Sequence, residues 1–90
     1  MKISEVLSHG QENALPMRSL RQVTGLSERE ARRQIERERR SGVLIVSDTR
    51  HGYWLTDDPA EAARFSRSMR HRAREILRTA AAIEGAAGIE

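Results

Sequence analysis

Between Thr24 and Gly42 the chain reads TGLSEREARRQIERERRSG, a stretch that leaves few choices of local structure. Ser27 is a favoured helix N-cap, and Glu30 three residues later completes a capping box in which each side chain satisfies the other residue's backbone N–H. A helix therefore begins after Ser27. Gly42 ends it, because glycine enters the left-handed region at little steric cost. With Ala31 and Ile35 turned inward at i, i+4 spacing, Arg29, Arg33, Glu36, Arg37 and Arg40 turn outward and Arg32 lies on the flank. The outer face of this helix is strongly cationic.

Composition sharpens what such a face can be for. Ninety residues make one domain, or one domain with an appendage. The chain has 16 Lys+Arg against 13 Asp+Glu and a pI near 10.5, so an anionic partner such as nucleic acid is favoured. All the basic residues but Lys2 are arginine. Recognition of phosphate and guanine would explain that bias, and so would a genome-wide codon preference. The absence of cysteine excludes disulfides, thiol catalysis and thiolate metal sites. No apolar run approaches the roughly 20 residues that span a bilayer, and MKISEVLSHG lacks a secretory apolar core. A cytoplasmic location without a membrane partner is expected. Tyr53, Trp54 and Phe65 are the only aromatics, too few for a platform that stacks single-stranded bases. Double-stranded DNA fits better. His9, His51 and His71 stand apart without companions at ligand spacing, so no metal site is expected. No nucleophile elbow, phosphate loop or catalytic acid pair occurs. The expectation is a protein that is not an enzyme, with no cofactor and no small-molecule substrate.

Around the arginine helix the pattern is ordered. Ile3, Val6 and Leu7 recur at helical spacing and predict a short helix ending near Gly10. Pro16 biases Leu15 toward extended backbone, leaving Ala14 and Leu15 for a brief strand. Met17, Leu20 and Val23 predict a helix over 17–24, broken by Gly25, with Leu26 an apolar plug before the next helix. Helix, glycine turn, helix is the helix-turn-helix order, whose second helix enters the major groove. VLIVSDTRHGYWLT then predicts a β-hairpin with a polar tip. Alternation puts Val43, Ile45, Tyr53 and Leu55 on one face and Leu44, Val46 and Trp54 on the other, one side meeting the C-terminal helix.

Asp57 or Asp58 can cap that last helix and Pro59 suits its first turn. From Pro59 to about Ala86 it spans roughly 40 Å at about 1.5 Å per residue. Ala62, Met69, Ile76 and Ile83 repeat every seven residues, joined by Phe65, Ala73 and Ala80. Arg64, Arg67, Arg70, Arg74 and Arg78 occupy the opposite arc. Those arginines are open to three uses: a solvated face, a second DNA contact, or an anionic membrane surface. The apolar stripe packs on its own domain or on a second copy, and its length favours a homodimer with two reading helices on two half-sites. The fold class is mainly α with a small β-hairpin: residues 1–57 form the binding domain, 58–86 the dimerisation helix, and 87–90 a frayed tail.

Taken together, LSEREARR (26–33), Ile35, Gly42, the run VLIVS and the Gly52-Tyr53-Trp54-Leu55 quartet resemble the winged helix-turn-helix domain. The likeness is to the form at the N-terminus of biotin-operon repressors and in small prophage-type regulators, and it covers about residues 1 to 57. It implies a three-helix core with a small sheet, the helix after Ser27 in the major groove, and the loop Asp48–Gly52 as a wing near the backbone or minor groove. Prophage-type proteins of this pattern also carry one long helix after the wing.

Two positions depart from the pattern. Glu38 stands where Leu is usual, on the inward face with Ala31 and Ile35, and an unpaired buried carboxylate is costly. Either the helix turns and Glu38 is solvated, or an arginine of the C-terminal helix reaches it, Arg72 being the candidate. Ala31 is also smaller than usual, which leaves room for the long helix to complete the core.

The candidate DNA contacts follow. Arg29, Arg32 and Arg33, nearest the helix N-terminus, are candidate base readers; Arg37 and Arg40 are candidate phosphate contacts. Glu28 and Glu36 either accept from cytosine amino groups or complement the helix N-terminus and neighbouring arginines. Arg18 and Arg21 suit phosphate, and Arg50 and His51 stand at the wing tip. The expected function is a sequence-specific double-stranded-DNA-binding protein, a small transcriptional or prophage regulator acting as a homodimer. The alternatives are a protein-interaction module of the same fold and an architectural or replication-initiation factor.

Overall fold

Residues 1–89 are described by a computed structural model, in which α1 (Met17–Thr24), α2 (Glu28–Arg40), β1 (Ile45–Asp48), β2 (Gly52–Leu55) and α3 (Pro59–Ala87) follow one another. The architecture is mainly helical with one small antiparallel hairpin, an α+β arrangement. α1 stops where expected: Gly25 takes φ 74° and its N–H donates to the Arg21 carbonyl at 2.8 Å. Two residues later the capping box starts α2. The Glu30 N–H donates to Ser27 Oγ at 3.1 Å and the Ser27 N–H to Glu30 Oε1 at 2.9 Å, an arrangement worth about 1 kcal/mol.

The inward face of α2 closes a core made of Ile3, Leu7, Leu20, Ile35 and Ile45, with Ala31 beside it. Burial of each large aliphatic side chain stabilises by roughly 1.5–3 kcal/mol. α3 supplies no fully buried side chain, so it does not complete this core as expected; the N-terminal segment does, through Ile3 and Leu7.

That segment is not the predicted α-helix. It is a single 3₁₀ turn over Ile3–Glu5, followed by a second over Gln11–Asn13. The i, i+4 apolar spacing of Ile3 and Leu7 is real, but the backbone that would extend the helix is bonded elsewhere. The Leu55 N–H donates to the Ser8 carbonyl at 2.9 Å, and the Gly10 N–H to the Leu55 carbonyl at 3.1 Å. Leu15 exchanges two 2.9 Å bonds with Tyr53, the whole extent of the expected brief strand. β2 is thus flanked by the N-terminal segment on one side and β1 on the other.

The hairpin register pairs Ile45 with Leu55, Val46 with Trp54 and Ser47 with Tyr53. Ile45, Leu55 and Tyr53 therefore share the core face, while Val46 and Trp54 share the opposite one, as the alternation predicts. Gly52, at φ 103°, is held where any Cβ would run into the Leu15 carbonyl. α3 begins at Asp58, whose Oδ1 accepts the Ala60 N–H at 2.9 Å. The Trp54 Nε1–H donates to Glu61 at 3.1 Å, anchoring the first turn of α3 beside the hairpin. Ala62, Phe65 and Met69 then lie with Val43–Val46 along β1, the strand that has no β-partner on its outer side among the described residues.

Beyond Arg72 the helix runs off the body, and the molecule measures 48 × 31 × 25 Å. The helix closes on a formed cap. Gly88 takes φ 72° and the Ile89 N–H donates to the Glu84 carbonyl at 2.8 Å, leaving only Glu90 outside the described residues. No described helix is long and apolar enough to cross a membrane.

Candidate nucleic-acid interface

α2 has two sides of opposite character. Glu28, Arg29, Arg32, Arg33, Glu36, Arg37 and Arg40 are all exposed, as the spacing predicts. Two of the arginines are paired along the helix: Arg32 with Glu28 at 3.0 Å and Arg40 with Glu36 at 3.5 Å. Arg37 donates to Gln34 at 3.1 Å. Exposed i, i+4 pairs contribute only a few tenths of a kcal/mol and exchange readily for a phosphate. Glu28 and Glu36 are thereby engaged with arginines in the free chain. Arg29 and Arg33 have no ion partner among the described residues.

On the inner side two adjacent charged residues turn inward. Glu38 is 3% exposed. It is neither solvated nor reached by Arg72, contrary to both expectations. Its carboxylate accepts from the Ile3 N–H at 2.6 Å, the Ser4 N–H at 2.9 Å and Gln34 Nε2 at 2.9 Å. It caps the first 3₁₀ turn across 35 residues of sequence. Burial works to raise its pKa, but these hydrogen bonds hold the carboxyl below the usual carboxylate range. No buried side-chain polar atom lacks a partner among the described residues.

Arg39, which sequence reasoning did not single out, is the second. Its Nε–H donates to the Ile45 carbonyl at 2.7 Å and its Nη2 to Ser47 Oγ at 3.2 Å. The guanidinium lies 4.7 Å from the centre of the Phe65 ring and 6.0 Å from that of Tyr53. One side chain thus ties α2 to both strands and to α3. Its position one turn after the buried Ile35 was the available signal. Its aromatic partners, 14 and 26 residues away, left no trace in the local pattern.

The hairpin tip is organised by Asp48. Its carboxylate accepts the His51 backbone N–H, lies 2.8 Å from His51 Nδ1 and accepts from Gln11 Nε2 at 2.9 Å. His51 is therefore turned toward its own loop, while Arg50 is exposed with no ion partner among the described residues. Arg18 is exposed on α1, where it shares a shallow depression with Arg21 and Leu26.

The residues expected to pair two copies divide. Ala62 and Phe65 are half-buried against their own body, and Met69 lies at its edge. Ala73, Ile76, Ala80 and Ile83 are exposed, Ile76 at 65% and Ile83 at 61%. No group of three metal-ligating side chains occurs among the described residues. No protein family, curated protein or solved structure matches the chain.

Proposed function

We propose that this chain is a double-stranded-DNA-binding protein of winged helix-turn-helix type that acts by occupying DNA, with α2 as the reading helix and Asp48–Gly52 as the wing. The observation that carries the reading is the division of α2. Its inner side is sealed by Ala31, Ile35 and a fully hydrogen-bonded Glu38, and its outer side presents Arg29, Arg33, Arg37 and Arg40 to solvent. A helix about 10–12 Å across fits a major groove about 12 Å wide, where guanidinium forks match guanine bidentately. The left-handed turn at Gly25 and the capped start at Ser27 give α1 and α2 the connection that a helix-turn-helix requires. The likeness of residues 1–57 to small prophage-type regulators supports a role in cytoplasmic transcription control.

The apolar stripe of α3 supports a homodimer. The residues that seat α3 on the body continue into Ala73, Ile76, Ala80 and Ile83, which nothing covers among the described residues. Antiparallel pairing about Ile76 sets Met69 against Ile83 of the second copy. Parallel pairing would set Arg72 against Arg72. The same stripe also suits docking on a different protein, and salt dependence separates the readings.

The test is a titration of random duplex followed by fluorescence anisotropy at increasing salt. Steep loss of affinity is expected, and absence of duplex binding at low salt overturns the DNA assignment. On a site selected from a random pool, Arg33→Ala should weaken binding by roughly 1–3 kcal/mol. Equilibrium sedimentation should give twice the 10.2 kDa of one chain, reverting to one chain in Ile76→Asp.

A further inference from the structure

Arginines of three elements also gather along the flank of the outward face of α2. Two shallow depressions share Arg32, Tyr53 and Arg72, so they form one continuous groove. One runs along α2 past Arg33 and Arg39; the other runs to the hairpin tip at Arg50. Three elements separated in sequence, α2, the hairpin tip and α3, each place arginine in it.

The acidic residues lining the groove are already engaged. Glu36 is paired with Arg40, and Asp48 is held by His51 and Gln11. Arg33, Arg50 and Arg72 have no ion partner among the described residues. Arg39 is held below its ordinary pKa first by burial, with the charge of Arg72 adding to the effect. Like charges gathered from separate elements repel one another, and an anion lying between them relieves that cost. Arg72 does not belong to the solvent-facing arc of Arg64, Arg67, Arg70, Arg74 and Arg78. It sits on the side of α3 that faces the body, one turn after Met69.

We infer that this groove binds phosphate and that Arg72 of α3 completes it, the ligand being the phosphodiester backbone of the duplex whose bases α2 faces. The inference rests on the DNA-binding reading above. It gives the first half of α3 a part in binding, beside the pairing assigned to its second half. Arg32 is expected to leave Glu28 for a phosphate, Arg50 to meet the same strand from the tip, and Arg72 to close the groove from the opposite wall.

The experiment compares Arg72→Gln with Arg74→Gln in the full chain, each exposed and each removing one charge from the same helix. Duplex affinity is measured from low to moderate salt by anisotropy, with inorganic pyrophosphate titrated in parallel. Arg72→Gln should reduce the slope of log K against log salt by about 0.9 and weaken binding about five- to tenfold at 0.1 M salt, equally on random and selected duplexes. Arg74→Gln should change the slope by much less. Equal effects of the two substitutions, or none from Arg72→Gln, overturn the groove while leaving α2 as the reading helix. An Arg72 effect seen only with pyrophosphate overturns the assignment to the DNA backbone. Failure of the unsubstituted chain to bind duplex at low salt removes both readings together.

Discussion

α2 and α3 are both arginine-rich and amphipathic, yet the body holds them in opposite ways. α2 buries Ala31, Ile35 and Glu38 within 13 residues, whereas α3 buries no side chain fully in 29. The difference lies in polar tethers as much as in apolar area. Glu38 ties α2 to the N-terminal turn, and Arg39 ties it to β1 and to Phe65. α3 is hung on the same body by its first two turns, through Glu61, Ala62 and Phe65. The DNA-reading role proposed for α2 calls for a helix held rigidly with its outer face bare, and α2 is held by two charges turned inward. A helix that pairs with another copy needs an uncovered apolar stripe, and the distal part of α3 keeps one.

The strongest way to break this contrast is at Glu38. Glu38→Ala leaves the buried Ile3 N–H and the half-buried Ser4 N–H without their acceptor and should destabilise the chain by about 3 kcal/mol in urea unfolding. A loss below about 1 kcal/mol would mean that the tether does not fix α2. Because the folded pKa of Glu38 is lowered, its contribution is present above the ordinary carboxylate range. It is lost as pH falls through the lowered value.

Arg39 comes next. Arg39→Ala removes the hydrogen bonds to Ile45 and Ser47 and the stacking on Phe65, and should cost about 2 kcal/mol. Its particular signature is faster amide exchange in the first three turns of α3, with the exchange of α2 changed less. Arg39→Lys should not restore the protection, since an ammonium lacks the planar fork that both bonds and stacks. Equal loosening of the two helices would show that Arg39 is no joint between them.

What could be read in the sequence follows from range. The capping box at Ser27 and Glu30, the glycine stop after α1, the face alternation of the hairpin and the Asp58–Pro59 start of α3 are set by residues within a few positions of one another, and all appear in the structure. The exposure of Arg29, Arg33, Arg37 and Arg40 follows from the period of α2 alone. The N-terminal segment departs from its helical spacing because its backbone is satisfied by partners distant in sequence. Glu38 and β2 supply those bonds, and helical spacing cannot register them. The same reason hid the inward turn of Arg39, fixed by the course α3 takes after the hairpin, whereas the approach of Arg72 to α2 was legible from its place on the apolar side of α3, though it does not reach Glu38.

The smallest expected effect supplies the scale for the other two, because Asp48 is a tether of similar chemistry in an exposed loop. Its carboxyl is pulled down to about 2. The slight burial works the other way and is outweighed by the His51 backbone N–H, the His51 ring and the Gln11 amide. A folded pKa of about 2 against an unfolded value of 3.8 adds stability above pH 3.8 that disappears as pH falls toward 2. The side chain is 35% exposed, so screening by water keeps the contribution under about 1 kcal/mol. Asp48→Asn keeps an acceptor for the His51 N–H but removes the titration. The difference in unfolding free energy between the two proteins should therefore shrink between pH 4 and pH 2. A pH-independent difference would show that the tip is held by loop geometry, with the Asp48 charge contributing nothing. A fall as large as that for Glu38→Ala would place the strongest polar tether at the tip, and the contrast between α2 and α3 would then rest on apolar burial alone.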